Sequence, residues 1–341
     1  MKSPLSAFAC LAFLSASSLA AEPGLPGYHI AKKIPLPGDS GWDFLTCDTA
    51  SRRLYVTHGD QVQVLDADSG ELKGSVTGLH GVHGVALAEG KGFISNGKDD
   101  SVAVFDTVSF KIAKTIKVGK SPDAILYDPA SNRIFVFNAR SSDLTVIDPK
   151  SLMIVKTFPV KGRPEFGVVD GKGALYLDLE DKGELLKIDA NKLTVAERWK
   201  TAGCDEPSAM ALDSAHGRIF LGCSNKIMEA LDIATGKTIT TLPIGEGVDT
   251  ISFDSAKGLI FASSGDGTVT VTRQDGPDRY TVAETLATPK RAKTSALDTQ
   301  THRLFLSTAE FGPSPEKKAG EHKRAPVLPG TFAVLVLEPQ L

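Results

Sequence analysis

The chain has 341 residues, of which 41% are hydrophobic and 23% charged, and a formal net charge of −3. That balance gives no global attraction to nucleic acid or anionic lipid, and the composition supports a packed core without low-complexity tracts. Residues 1–21 read as a secretory leader. Lys2 supplies the positive start, Leu5 to Leu14 a short apolar run, and Ser18-Leu19-Ala20-Ala21 a small-residue cleavage site. The apolar run is roughly half of what a membrane span needs, so the reading is a periplasmic or secreted protein with no anchor. Removing the leader takes away Lys2 and no acid, which moves the net charge from −3 to −4.

From Trp42 onward the same unit restarts seven times, anchored on Asp48, Ala88, Asp128, Asp170, Asp213, Asp254 and Asp298. The spacings are 40, 40, 42, 43, 41 and 44 residues. A period in the low forties with four strand-like runs per unit predicts a seven-bladed all-β propeller of four-stranded antiparallel blades. The third unit is the clearest copy. Its runs are Ala124 to Asp128, Arg133 to Phe137, Leu144 to Asp148 and Ile154 to Val160, separated by Pro, Ala, Ser and Asn turn residues. The acids Asp66, Asp106, Asp148, Asp189 and Asp232 end third strands, where a carboxylate accepts bonds from the amides of the next turn.

The seventh unit has strands at Ser295–Asp298, Arg303–Ser307 and Thr331–Leu337, and no fourth. Ile30-Ala31-Lys32-Lys33-Ile34 matches the fourth strand of the second unit, Ile112-Ala113-Lys114-Thr115-Ile116. The N-terminal strand is therefore expected to complete the last blade and remove two open edges. Residues 22–341 then form a single domain, with 309–330 as a long insertion in blade 7.

The restarts Gly119-Lys120-Ser121-Pro122-Asp123-Ala124 and Glu206-Pro207-Ser208 resemble those of the YncE-type family of exported seven-bladed propellers. So do the turn Ala234-Thr235-Gly236-Lys237 and the segment Leu242 to Asp249. The likeness covers essentially all of the chain after the leader. It implies the same fold and a binding role; single-stranded DNA binding is attributed to the family's namesake, which the acidic balance argues against here. It implies no catalytic residues.

Alignment of the restarts turns sequence into geometry. The residue five before each anchor is Asp43, His83, Asp123, Glu165, Ser208, Asp249 or Lys293. In register, these seven form one ring around the axial mouth. A second ring follows from the ends of the second strands: His58, Asn96, Asn138, Asp178, Cys223, Ser263 and Thr308. Polar groups converging on a concave axial pocket read as a binding site; the plainer alternative is that they bond turn amides and channel water. Blade-to-blade variation in residue type favours binding, since a turn function alone would keep one type.

Two ligand chemistries are open. Asp43, His58, His80 and His83 come from blade 1 and the following connection, as donors for a divalent ion: zinc for the imidazoles, calcium for an all-carboxylate arc. The alternative for the His80-Gly81-Val82-His83 loop is exposure to solvent. For an anion, Lys290, Arg291 and Lys293 lie beside the insertion's Lys317, Lys318, His322, Lys323 and Arg324, with Arg140 and Arg163 opposite. Long non-repetitive loops are usually functional or disordered. Cys204 and Cys223 fall at the same end of one hairpin, which allows a disulfide, or else two small residues near a crowded loop; Cys47 reads as a buried free thiol. No nucleophile elbow or phosphate loop is present. The expectation is thus a monomeric exported binding protein whose axial mouth holds a small molecule or a protein partner. The alternative is a metal-dependent lactonase, hydrolase or lyase with His58 or His83 as base.

Overall fold

The computed structural model describes residues 27–313 and 325–340. The leader and the basic cluster of Lys317, Lys318, His322, Lys323 and Arg324 lie outside the described residues. Seven four-stranded antiparallel sheets follow one another around a ring, and the one helical element among the described residues is a 3-10 turn at Glu180–Lys182. Blade 1 comprises Trp42–Asp48, Arg53–His58, Gln61–Asp66 and Leu72–Val76. Blades 2 to 6 span 82–117, 122–159, 164–200, 207–243 and 248–287. No helix among the described residues is long and apolar enough to cross a membrane.

Blade 7 closes as the repeat requires. Ser295–Asp298, Arg303–Thr308 and Ala333–Pro339 supply three strands, and Tyr28–Pro35 pairs outside them, with Ile34 opposite Val334 and Ile30 opposite Leu337. Tyr28 is buried; its hydroxyl donates to the His302 carbonyl at 3.0 Å and its ring meets Phe261 edge-on at 5.0 Å. The outer strands are exposed along most of their length, while the second and third strands of each blade are nearly all buried. The core therefore runs between blades, as where Leu54, Val56 and Leu65 pack with Phe305, Phe332 and Val334.

The acids at strand ends hold the turns. Asp66, Asp106, Asp148, Asp189 and Asp232 each accept from the amides two and three residues on. Asp48, Asp128, Asp213 and Asp254 do the same in the hairpins between first and second strands. Asp298 adds a second task. Its buried carboxylate accepts from Arg52 of blade 1 at 2.7 Å, and Arg52 also binds Asp68 at 2.6 Å. Burial pushes the Asp298 acid up, but the bonds from Arg52 and Thr301 outweigh it and bring it down to about 2.

Two outcomes follow from this closure. Tyr28→Ala should cost about 3 kcal/mol, as for other large buried aromatics, and a chain starting after Leu36 should scatter light on warming because blade 7 keeps an open edge. Denaturant melts and light scattering check both. Because the folded Asp298 acid lies below its unfolded value, its contribution is complete above about pH 4 and fades as pH falls toward 2, by about 1 kcal/mol once screening is allowed for. Arg52→Met should lower stability near neutral pH by about 2 kcal/mol and flatten that acid limb, read as unfolding free energy against pH.

Candidate functional site

Asp43, His83, Asp123, Glu165, Ser208 and Asp249 are each the second residue of an innermost strand. At this point all six innermost hairpins slip register, between Trp42 and Leu45, Val82 and Val85, Pro122 and Ile125, Pro164 and Gly167, Pro207 and Ala209, and Val248 and Thr250. A bulge re-aims the side chain at a strand end. All six side chains, with Lys293 from the loop before Ser295, line one axial cavity of about 1210 Å³. One residue deeper, Phe44 of blade 1 meets Phe166 of blade 4 across the ring, 5.4 Å between centroids. This aromatic pair spans the axis beneath the polar ring.

The ring is wired from blade to blade. His83 Nδ1 lies 2.6 Å from Asp43 Oδ2 and 3.4 Å from Asp123 Oδ1. The donor atoms of these three residues all fall within 4.8 Å of one another. Arg163 contacts Glu165 at 3.3 Å and Glu180 at 2.7 Å, Lys293 contacts Asp249 at 2.8 Å, and the Ser208 hydroxyl donates to the Val248 carbonyl at 3.0 Å. Asp43 takes its backbone orientation from Thr57, whose Oγ1 accepts the Asp43 amide at 3.1 Å.

Negative charge is in excess. Asp43, Asp123, Glu165, Glu180, Glu206, Glu246, Asp249 and Asp266 line the cavity against Arg140, Arg163, Lys290 and Lys293. Burial, with Asp43 nearby, pushes the Asp123 acid up to about 6 against the pull of His83. Burial and the neighbouring Asp123 and Glu180 charges push Glu165 up to about 9. Burial likewise lifts Asp249 to about 6 although Lys293 opposes it. For His83, burial lowers the value, but the bond to Asp43 and the Asp123 charge prevail and raise it. Burial raises the three acids and lowers His83, while the neighbouring carboxylates raise all four.

The second ring does not reach the cavity. His58, Asn96, Asn138, Asp178, Cys223, Ser263 and Thr308 are buried within the blades. His58 stacks on Phe332 at 3.8 Å with Nε2 3.0 Å from the Ser40 carbonyl, and burial lowers its basicity. Asn138 donates to Asp143 at 2.7 Å and to Thr145 at 2.9 Å. Asp178 accepts the Phe166 amide at 2.7 Å, and burial raises its acid well above the usual range. The residues that reach the mouth come one to three positions later: Ala139, Arg140, Glu180, Ser224, Gly265 and Asp266. Each lies past the end of its second strand, where the chain leaves the packed sheet. Glu206 and Glu246, on the loops entering blades 5 and 6, were also missed; only the convention that these loops crowd the mouth points to them.

Other expected ligands part company. His80 is exposed and paired with Asp99 at 2.7 Å, so neither it nor His58 joins Asp43 and His83. Arg291 turns away from the cavity and stacks over Phe311, 4.1 Å from the ring centroid. Arg163 and Lys293 are engaged by acids, which leaves Arg140 and Lys290 as the lining cations without a recorded ion pair among the described residues. Cys204 and Cys223 form the disulfide, between the loop carrying Glu206 and the strand leading to Ser224. Cys47 is free and half-buried, with burial pushing its thiol up to about 12.

No protein-family model matches the chain, and no curated protein matches it. Solved structures do. Hydrazine synthase of Kuenenia stuttgartiensis superposes with a TM-score of 0.70 at 15% identity, covering 80% of this chain and 94% of that one. A chain of the mitotic checkpoint complex superposes with a TM-score of 0.71 at 15% identity, covering 90% and 96% respectively. At such identity the likeness is one of fold: this chain is similar to other β-propellers.

Proposed function

We propose that the protein is an exported, non-enzymatic binding protein of the YncE type that holds a small, positively charged ligand in its axial cavity. The observation that carries this is the excess of acids over bases in the cavity, where eight carboxyl groups face four cations and burial, then neighbouring acids, raises Asp123, Glu165 and Asp249. A cationic ligand would relieve that repulsion, and Trp42 and Phe44 in the lining add aromatic faces that suit a cation. An anionic ligand is disfavoured because Lys293 and Arg163 are already held by acids. The leader-like N-terminus supports export. A hydrolase or lyase in the same funnel is the second reading, favoured by Asp123 and Glu165, whose acids are pushed to about 6 and about 9 and so offer a base and a proton donor side by side.

Calorimetric titration tests the main reading with spermidine as an organic polycation and citrate as its anionic counterpart. Spermidine should bind and citrate should not. The pair Glu165→Gln and Asp249→Asn should each weaken spermidine about tenfold, the worth of one charge-assisted contact. Citrate binding in place of spermidine would sink the proposal. Turnover of a lactone or ester that vanishes in Glu165→Gln would favour the second reading.

A further inference from the structure

Resting on the reading of the cavity as a cation site, the geometry points to what the cation is: we propose that Asp43, His83 and Asp123 bind a divalent first-row transition ion. Three observations carry this.

The first is the donor set. One imidazole nitrogen and two carboxylates, from three consecutive blades, present atoms within 4.8 Å of one another at the cavity wall. Tetrahedral bonds of about 2.0–2.2 Å from zinc or a related ion hold neighbouring donor atoms about 3.3–3.6 Å apart. His83 Nδ1 and Asp123 Oδ1 already stand 3.4 Å apart, and Nδ1 and Asp43 Oδ2 stand 2.6 Å apart across a hydrogen bond. Seating an ion displaces the Nδ1 proton to solvent and draws the Asp43 oxygen back from Nδ1 by about 1 Å, the difference between a hydrogen bond and a shared ligand edge.

The second is that the imidazole is aimed. A Cβ at Gly97 would lie 2.5 Å from His83 Nε2 and 2.8 Å from Cδ2. The absence of a side chain there lets the ring lie against its own blade with the Nε2 edge, leaving Nδ1 turned to the two carboxylates. His80, three residues earlier, is exposed and turned to Asp99 instead.

The third is the surrounding field. Glu165, next around the ring, has an Oε2 atom that is buried and lacks a hydrogen-bond partner, since the Arg163 contact is not aligned for one. It leaves an unpartnered oxygen beside the triad, free to accept from a water on the ion. Calcium asks for six to eight oxygen donors, whereas a mixed nitrogen and oxygen set of three with an open side suits zinc, manganese, cobalt or nickel. The open side faces the cavity, which leaves room for water or a second ligand on the ion.

The test is calorimetric titration of chelator-treated protein with zinc chloride, calcium chloride and spermidine, with cobalt absorption as a readout of nitrogen ligation. Zinc should bind one to one and at least tenfold more tightly than calcium. His83→Gln and Asp123→Asn should each weaken zinc tenfold or more, while His80→Gln should leave it unchanged. Gly97→Ala, which keeps all three ligands but crowds the ring, should weaken zinc and alter the cobalt spectrum, so the proposal does not depend on removing a charge. Zinc binding indifferent to His83→Gln, or spermidine binding without zinc, would overturn the metal assignment and leave the cation reading standing. Failure of zinc, calcium and spermidine alike would overturn both.

Discussion

Everything in this molecule depends on the ring being closed, and the closure is a strand pairing between the two ends of the chain. Tyr28–Pro35 lies along Ala333–Pro339, and that sheet packs on blade 1 through Phe332, Val334 and Val336. A propeller blade cannot bury both its faces alone; each needs a neighbour on either side. With the ring open, blades 1 and 7 would each expose an apolar face of the sort that packs Leu54, Val56 and Phe305 together. The Arg52–Asp298 pair crosses the same seam with charge, and it is worth less than the apolar contact because Arg52 retains access to solvent. Hydrophobic burial closes the ring, and the ion pair fixes its register at one rim.

Closure also explains how so many acids come to share a small space. Seven blades radiating from one axis bring equivalent residues together at its mouth whether or not they suit one another. Six bulges turn those residues inward, and Phe44 with Phe166 seals the axis below them. The scaffold supplies the energy that holds like charges close, since opening one bulge would disrupt packing on two neighbouring blades. Functional sites commonly carry strain that the surrounding structure holds in place. Here the cost is first the burial of carboxyl groups and then their mutual proximity, and it appears as acids lifted above their usual range at Asp123, Glu165 and Asp249.

The division between what could and could not be read from the sequence follows the same physics. The repeat, the seven blades, the borrowed strand and the first ring were legible because a period near forty residues leaves a mark at every restart. The turn-bonding role of acids such as Asp66 and Asp232 was legible for the same reason. The second ring failed because its residues still lie in the strands: Asn138 and Asp178 are buried within their blades, whereas Arg140 and Glu180, two residues on and past the strand ends, line the mouth. The repeat marks a strand end only to within a residue or two, and that margin separates core from mouth. Arg291 failed differently. It sits two residues from Lys293, yet Phe311 of the insertion draws its guanidinium away, and no repeat records a contact made once.

The two kinds of aspartate in this chain show why fold and site could evolve apart. Acids such as Asp48, Asp128 and Asp254 recur because each satisfies the amides of its own hairpin, a local bond that every blade needs. The inward acids at Asp43, Asp123 and Asp249 satisfy no such local need; all three take their ionic partner from an adjacent blade, Asp43 and Asp123 from His83 and Asp249 from Lys293. A residue bonded within its own turn can be kept by the stability of one blade. One whose partner lies on the next blade, in a cavity with too few cations to neutralise it, lowers stability unless something else compensates. Seven equivalent positions carrying five residue types are therefore not what the scaffold alone asks for, since it would favour the same neutral residue in every blade; the proposed cation is one such compensation.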